Sequence, residues 1–298
     1  MQILSPGKSA QRLFLEEGLQ VLPQVFDGAD LDRLRRAAEH VRAAYLRRID
    51  GAHPHHRNSH MFFQVHNPEL HTDTREHLLA ILEAGADPRC LGPVESVFKG
   101  PSLFRCTTLF FNPRFSSSEG NWHRDMQFLL PTEEALREWI ESNRRGETAH
   151  PVDGIQFQVA LVDNDDVEYV PYSATRYDSP EELRIRRSEG GAHDTDADMP
   201  NANRVELRAG DALIFNPNGL HRGRYHVEIP RLTMMFTYTP MVKPRADEFA
   251  YQPWFLDPGY TAGLSPRAQL FYDQFVAQYR DLLSETRVPL TFPVSEPP

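Results

Sequence analysis

Between residues 103 and 240 the chain keeps returning to one texture. Short runs rich in Phe, Val, Leu, Ile and Thr are closed by Pro, Gly, Asn or Asp. They are LFRCTTLFFNP from 103, IQFQVALVD over 155–163, RVELRAGDALIFNP over 204–217 and RLTMMFTYTP over 231–240. β-Branched and aromatic residues suit a pleated, half-buried surface, and the closing residues break it. These runs predict a β-rich domain. In the second run Gln156 and Gln158 fall on one face of the strand, and Phe157 and Val159 on the other. If the amide face lines an interior, Gln158 is a hydrogen-bonding pocket residue; if not, it faces solvent.

Helical signals flank this region. Residues 11–28 read as a short helix, a strand and a turn. The following stretch carries Leu31, Leu34, Ala38, Val41 and Tyr45 at helical spacing, which predicts about four turns with Asp30 as N-cap. Thr132–Asn143 predicts a helix between strands. Ser265-Pro266 opens another, with Leu270, Phe271, Phe275, Tyr279 and Leu282 as its apolar stripe. Residues 178–203 are polar and turn-rich, and a long insertion of that kind in a β domain is expected to act as a lid or substrate loop. With no internal repeat and no clean linker, one domain is expected over 1–298: helical support over about 12–100, a core over about 103–245 and a helix over about 265–285.

Composition narrows the function. The chain has 298 residues, a net charge of −10 and only three lysines, Lys8, Lys99 and Lys243, which argues against a nucleic-acid binder. Its N-terminus has no apolar run resembling a signal peptide or membrane span. Two cysteines, Cys90 and Cys106, make no disulfide framework, and a cytoplasmic setting is expected. DTDAD at 194–198 fails as a calcium loop, because Met199 and Val205 stand where Gly and Glu are required. Six histidines fall irregularly within 51–71 and read as a solvated loop; His60 and His66 flank MFFQV and are within reach of a pocket.

The stretch NWHRDMQF, 121–128, carries the chemistry. HRD matches a kinase catalytic loop, but Leu130 stands where that loop needs Asn, and the Gly-rich loop and D-F-G are absent. On a strand, His123 and Asp125 would share a face. A distant histidine would complete a two-histidine, one-carboxylate facial triad, the arrangement of non-haem Fe(II) oxygenases. RAGDALIFNPNGLHRGRYHVEIPRLTMMFTY supplies it: His221 follows a strand, and Arg231 opens the next. Arginine there can grip a dicarboxylate through two parallel hydrogen bonds. His226, in the turn before Arg231, is the rival ligand; Arg222 and Arg224 are weaker anion-binding candidates.

In this order the segments resemble the phytanoyl-CoA dioxygenase family of Fe(II)/2-oxoglutarate-dependent oxygenases. FLEEGLQVLPQVFDGADLDRLRRAAE resembles its opening, LFFNP precedes NWHRD, and VALVDNDDVEYVPYSATR and AGDALIFNPNGLHRG follow. The resemblance spans roughly 12–240. It implies a double-stranded β-helix, a cupin-like jelly roll that is mainly β with flanking helices. It implies Fe(II) on His123, Asp125 and His221, 2-oxoglutarate held by Arg231, and O2 as the third component. Thr108 and Asn112 fall where the family touches 2-oxoglutarate. The small hydroxyl residue expected two beyond the distal histidine is Gly223 here, and Thr233 is the substitute. Tyr172 stands where the family's turn usually has Gly.

The implied reaction is oxidation, foremost hydroxylation, of an unactivated C–H in a small metabolite or natural-product intermediate by a monomer or homodimer that needs neither membrane nor nucleic acid. The alternatives are a non-catalytic jelly roll that binds metal and senses a ligand, and an oxalate-type cupin enzyme. The latter is disfavoured because such sites use three histidines and have no need of Arg231.

Overall fold

The computed structural model describes residues 10–50, 58–144, 152–187 and 197–289. Two antiparallel sheets face each other. The larger is ordered β1 (Leu19–Leu22), β8 (Ala212–Phe215), β5 (Ile155–Ala160), β10 (Leu232–Pro240), β3 (Ser102–Phe111) and β2 (Met61–Phe63). The smaller is ordered β4 (Ser118–Glu119), β9 (His221–Tyr225), β6 (Asn164–Tyr169) and β7 (Asn203–Leu207). The architecture is the double-stranded β-helix with flanking helices that the strand texture and the resemblance led us to expect. β1 and β2 enter the larger sheet from the N-terminal part of the chain.

Alternation along β10 divides the molecule. Leu232, Met234, Phe236 and Tyr238 point outward into the main apolar cluster. That cluster also takes residues from α2 (Gly28–Ile49), α3 (Arg75–Gly85), α4 (Pro88–Phe98) and α7 (Pro266–Leu283). Thr233, Met235 and Thr237 point the other way, toward the smaller sheet, in register with Phe110, Thr108 and Cys106 of β3 and with Ala160, Gln158 and Gln156 of β5. The apolar mass of the protein thus lies outside the larger sheet, and the inter-sheet face is free to be polar. Gln156 and Gln158 occupy that inner face. Asp166 and Arg231 are also buried.

Several local expectations shift. α2 runs for 22 residues, longer than four turns, and its N-cap is Asp27. Asp30 sits in the first turn and pairs with Arg89 at 3.0 Å. In α7 the buried stripe is Phe271, Tyr272, Phe275, Tyr279 and Leu282, while Leu270, one position off that face, is 61% exposed. His221 opens a strand, β9, that the sequence reading did not separate from its neighbours. Residues 178–203 begin with a helix, α6 (Pro180–Arg186), capped by Ser179 with Glu182 bonding back to it. The middle of that segment, like the histidines at 53, 55 and 56 and most of DTDAD, lies outside the described residues. Tyr172 takes φ +65°, the left-handed conformation that glycine provides without strain, so the turn keeps its shape with a different residue. Cys90 and Cys106 are buried free thiols.

His66 ties β3 to the segment before α7. Its Nδ1 meets Thr107 Oγ1 at 2.7 Å and its Nε2 meets Gln252 Oε1 at 2.5 Å. The ring is wholly buried, and that burial depresses its pKa to about 3. Burial likewise lowers His60 and His71 to about 4. Each is held neutral in the fold and protonates near 6.5 once unfolded, so the unfolded chain binds more protons below that pH. Stability is therefore expected to fall as pH drops from 6.5 toward 4, and a His66→Gln variant should show a shallower fall. Thermal melts across that range check this; parallel curves for the two proteins would contradict it.

Candidate metal centre and its surroundings

His123 and His221 face each other across a two-way backbone bridge, each N–H donating to the other's carbonyl at 3.0 Å. Asp125 is brought in differently from the strand alternation expected of it. It begins a short 3-10 helix, and its N–H donates to the Pro217 carbonyl at 2.9 Å, pinning the helix start to the loop before β9. The result is a convergent trio whose ligand atoms all lie within 4.8 Å of one another, the one such group among the described residues that can hold a metal ion. Asp125 Oδ1 is 3.5 Å from His123 Nε2 and 3.6 Å from His221 Nε2. Ligand atoms on neighbouring corners of an octahedral site lie about 3 Å apart when bonds are about 2.1 Å, so closure needs only a small inward movement.

Both imidazoles present the same nitrogen. His123 Nδ1 meets the carbonyl of Asn121 at 2.8 Å, and His221 Nδ1 meets that of Gly219 at 2.9 Å. A carbonyl only accepts, so each Nδ1 carries the proton and each Nε2 keeps a lone pair toward the centre. Burial holds the His221 pKa well below the usual histidine range, and the ring packs between Tyr169 and Phe215. The second oxygen of Asp125 accepts from Gln156 Nε2 at 2.7 Å. Desolvation raises the Asp125 pKa, and the charges of His123, Arg105 and Arg245 pull the other way.

The residue between the ligands is an anchor. Arg124 is fully buried and bonds the Asp178 carboxylate at 2.6 Å and the carbonyls of Ser173 and Asn218 at 2.7 and 2.5 Å. Arg186 of α6 shares the same carboxylate at 2.6 Å. The start of the 178–203 segment is thereby tied to the loop that carries His123 and Asp125. Arg222 and Arg224 point outward and pair with Glu168 and Glu119, and His226 lies 3.4 Å from Glu119, away from the trio. Trp122 is buried in a small apolar cluster with Arg222 over its ring.

Arg231 lies inside the barrel, 3% exposed, between the rings of Phe110 and Tyr225. Its Nη1 donates to the Arg224 carbonyl at 2.6 Å, and its Nε approaches Asp166 at 3.4 Å without a formed hydrogen bond. Gly223 makes the room. A Cβ there would sit 2.6 Å from Tyr225 Oη and 3.3 Å from Arg231 Nη1, which explains why no hydroxyl residue occupies this position. Thr233 is buried two residues along β10 on the same inner face. Thr108 Oγ1 and Gln158 Oε1 are buried there without hydrogen-bond partners. Asn112 is oriented otherwise: its oxygen accepts from the Arg231 N–H at 2.8 Å and its amide binds the carbonyls of His226 and Ile229, so it clamps the turn that delivers Arg231. Sequence reasoning missed Asp166 and the bond from Gln156. The unpartnered Thr108 hydroxyl beside the Arg231 guanidinium suits an anionic group, while the unpartnered Gln158 oxygen suits a donor.

Two outcomes follow. Gln156→Leu removes the donor to Asp125 and should weaken divalent-metal binding about 10–100-fold by anaerobic calorimetry; unchanged affinity would separate Gln156 from the centre. Burial raises the Asp166 carboxyl to about 6 despite Arg231, so its favourable contribution is present at low pH and lost as pH rises through 6. Asp166→Asn should therefore be more stable than the parent at pH 7.5, by on the order of 3 kcal/mol, with the gain shrinking toward pH 4. Melts at the two pH values decide this, and a destabilised variant at pH 7.5 would show the Arg231 pairing to dominate.

The phytanoyl-CoA dioxygenase family model matches residues 14–227. No curated protein sequence matches. Among solved structures, HygX from Streptomyces hygroscopicus, with nickel and 2-oxoglutarate bound, aligns with TM-score 0.52 at 20% identity, over 76% of this chain and 84% of that one. AviO1 from Streptomyces viridochromogenes aligns with TM-score 0.52 at 17% identity, over 79% and 96%. Iron-bound EctD from S. alaskensis aligns with TM-score 0.54 at 17% identity, over 83% and 81%. At these identities the structural likeness speaks for the fold, and the family match covers most of the chain. The chain belongs to the phytanoyl-CoA dioxygenase family, whose chemistry is oxygenation dependent on Fe(II), 2-oxoglutarate and O2.

Proposed function

We propose that the protein hydroxylates an unactivated C–H of a small metabolite or natural-product intermediate, acting as one oxygenase domain over its length. The observation that carries this is a pair: a trio of two Nε2 atoms and one carboxylate oxygen, and a buried arginine on the inner face of the same barrel. His123, Asp125 and His221 would hold Fe(II), and Arg231 with Thr233 would hold the far carboxylate of 2-oxoglutarate. The donor set fits the metal: three donors leave further coordination positions for ligands, and both histidines are fixed in the ligating tautomer. The bound metal, 2-oxoglutarate and O2 supply the oxidising power, with succinate and CO2 as co-products.

The chain's own share is placement and exclusion of water. The carbonyls of Asn121 and Gly219 hold the Nδ1 protons and so aim both Nε2 atoms. Gln156 restrains one oxygen of Asp125, leaving the other for the metal. Thr108 offers its unpartnered hydroxyl to the cosubstrate, whereas the Gln158 oxygen only accepts and needs a donor on whatever molecule lies beside it. Ala160, Leu213, Phe215 and Met235 keep the inner face dry around them. Asp166 stands in the cosubstrate's way electrostatically, and a bound dicarboxylate would favour its neutral form. Desaturation and ring closure differ from hydroxylation only in how the substrate lies. No described helix is long and apolar enough to cross a membrane.

The second reading is a ligand-binding jelly roll without turnover, favoured by the Asp166 carboxylate already beside Arg231. Anaerobic addition of Fe(II) and then 2-oxoglutarate separates the two. A visible charge-transfer band of chelated cosubstrate is expected, absent in His221→Ala and at least about tenfold weaker in apparent affinity in Arg231→Ala. Iron binding with no band in the parent protein would favour the binding-protein reading.

A further inference from the structure

β10 has two ends. Arg231 stands before the first. At the second, Thr237 faces Cys106 and Gln156, the glutamine that holds Asp125, and the chain runs on through Lys243, Arg245 and Asp247. The start of β3 lies alongside. There the pairing slips: Thr237 opposes Cys106 but Tyr238 opposes Phe104. Arg105 is the residue left over, a bulge, and bulges re-aim side chains.

Arg105 is 7% exposed, with Phe249 beneath its guanidinium at 5.1 Å. Its Nη2 meets Asp247 Oδ2 at 2.7 Å, while its Nη1 is buried with no hydrogen-bond partner. Arg245 Nη2 approaches the same Asp247 oxygen at 3.5 Å. Lys243 is 3.9 Å from Asp153, which also accepts from Asn218. Two guanidiniums therefore share one carboxylate, and the nearby lysine is taken by another. Beyond Asp247 and Asp153, the carboxylate that these cations face is Asp125 of the metal trio. Desolvation and the Arg105 charge depress the Arg245 pKa, and the Asp153, Asp247 and Asp125 carboxylates oppose them. The cluster lies toward the metal trio through the strand register: Thr237 pairs with Cys106, next to Arg105, and with Gln156, which holds Asp125. Beside the trio the ring of Phe128, 68% exposed, lies 5.7 Å from that of His123.

We propose that Arg105 and Arg245 bind a carboxylate of the prime substrate, so that the substrate is a small carboxylic acid entering at the end of the barrel opposite Arg231. The inference rests on the oxygenase reading for its direction: with Arg231 assigned to 2-oxoglutarate, this second basic group is left for the molecule to be oxidised. Arg105 supplies a donor that the fold leaves without an acceptor. Arg245, nearer the surface, completes a two-sided grip. Phe128 offers an apolar wall beside the metal, which suits an amphipathic acid.

The test is calorimetry on protein loaded with Ni(II), which does not turn over, and saturating 2-oxoglutarate. The probes are benzoate and N-acetylglycine, each paired with its primary amide. Saturable binding of the carboxylates is expected, with the amides and the Arg105→Met and Arg245→Gln variants at least about tenfold weaker. Arg245→Gln carries the test alone if loss of the buried Arg105 prevents folding. Equal binding of acid and amide, unaltered binding by the variants, or no saturable binding of either acid would each overturn the proposal. Failure of 2-oxoglutarate to bind the Ni(II) protein would instead strike the oxygenase reading. Weakened 2-oxoglutarate binding in Arg245→Gln, with none in Arg231→Ala, would exchange the two basic groups and overturn both assignments.

Discussion

The site depends on two backbone hydrogen bonds. His123 and His221 come from distant parts of the chain, and the reciprocal N–H to carbonyl pair between them fixes their separation and facing. Because the bonds are made by the main chain, the imidazoles are left free for other work. Each ring is then oriented by the carbonyl two residues before it. Asp125 is added by a third main-chain bond, to Pro217, from the loop that leads into β9. The trio is thus assembled by backbone and tuned by side chains. Buried charge holds this arrangement from behind. The side chains of Arg124, Asp178 and Arg186 are wholly buried, and removing Asp178 would strand Arg124 without its ion-pair partner.

A second consequence follows from where the apolar mass lies. The larger sheet packs its main hydrophobic cluster against helices on its outer face, so stability does not require a dry, close-packed space between the sheets. That space can keep Thr108, Gln158, Asp166 and Arg231 buried with some of their polar atoms unpaired. Such atoms are costly in a sealed core and useful in a binding cavity. The glycine at 223 belongs to the same economy of space, since any side chain there would collide with Tyr225 and crowd Arg231.

Charge is distributed along the cavity. Arg231 marks one end of β10, and Arg105 and Arg245 lie toward the other. An acidic protein therefore buries arginines at two points of its interior, and this local pattern bears on ligand choice more than the net charge of −10 does.

The chain by itself determined the family and the trio. Strand texture, H-x-D and a histidine–arginine pair in the right order are local patterns, and local patterns survive in sequence. So did the alternation of Gln156 and Gln158, because a strand's period is two whatever surrounds it. Tertiary structure decided the rest. Asn112 and Thr108 looked equivalent on one strand, yet the first is taken up by the β9–β10 turn and the second faces the cavity; only the neighbouring turn distinguishes them. Leu270 looked like part of a stripe until packing set the phase of α7. Asp166 beside Arg231, and Arg105 beside Arg245, are unions of residues far apart in the chain, and no spacing rule announces them. Pairing across sheets is a property of register and bulge, which depend on every strand at once.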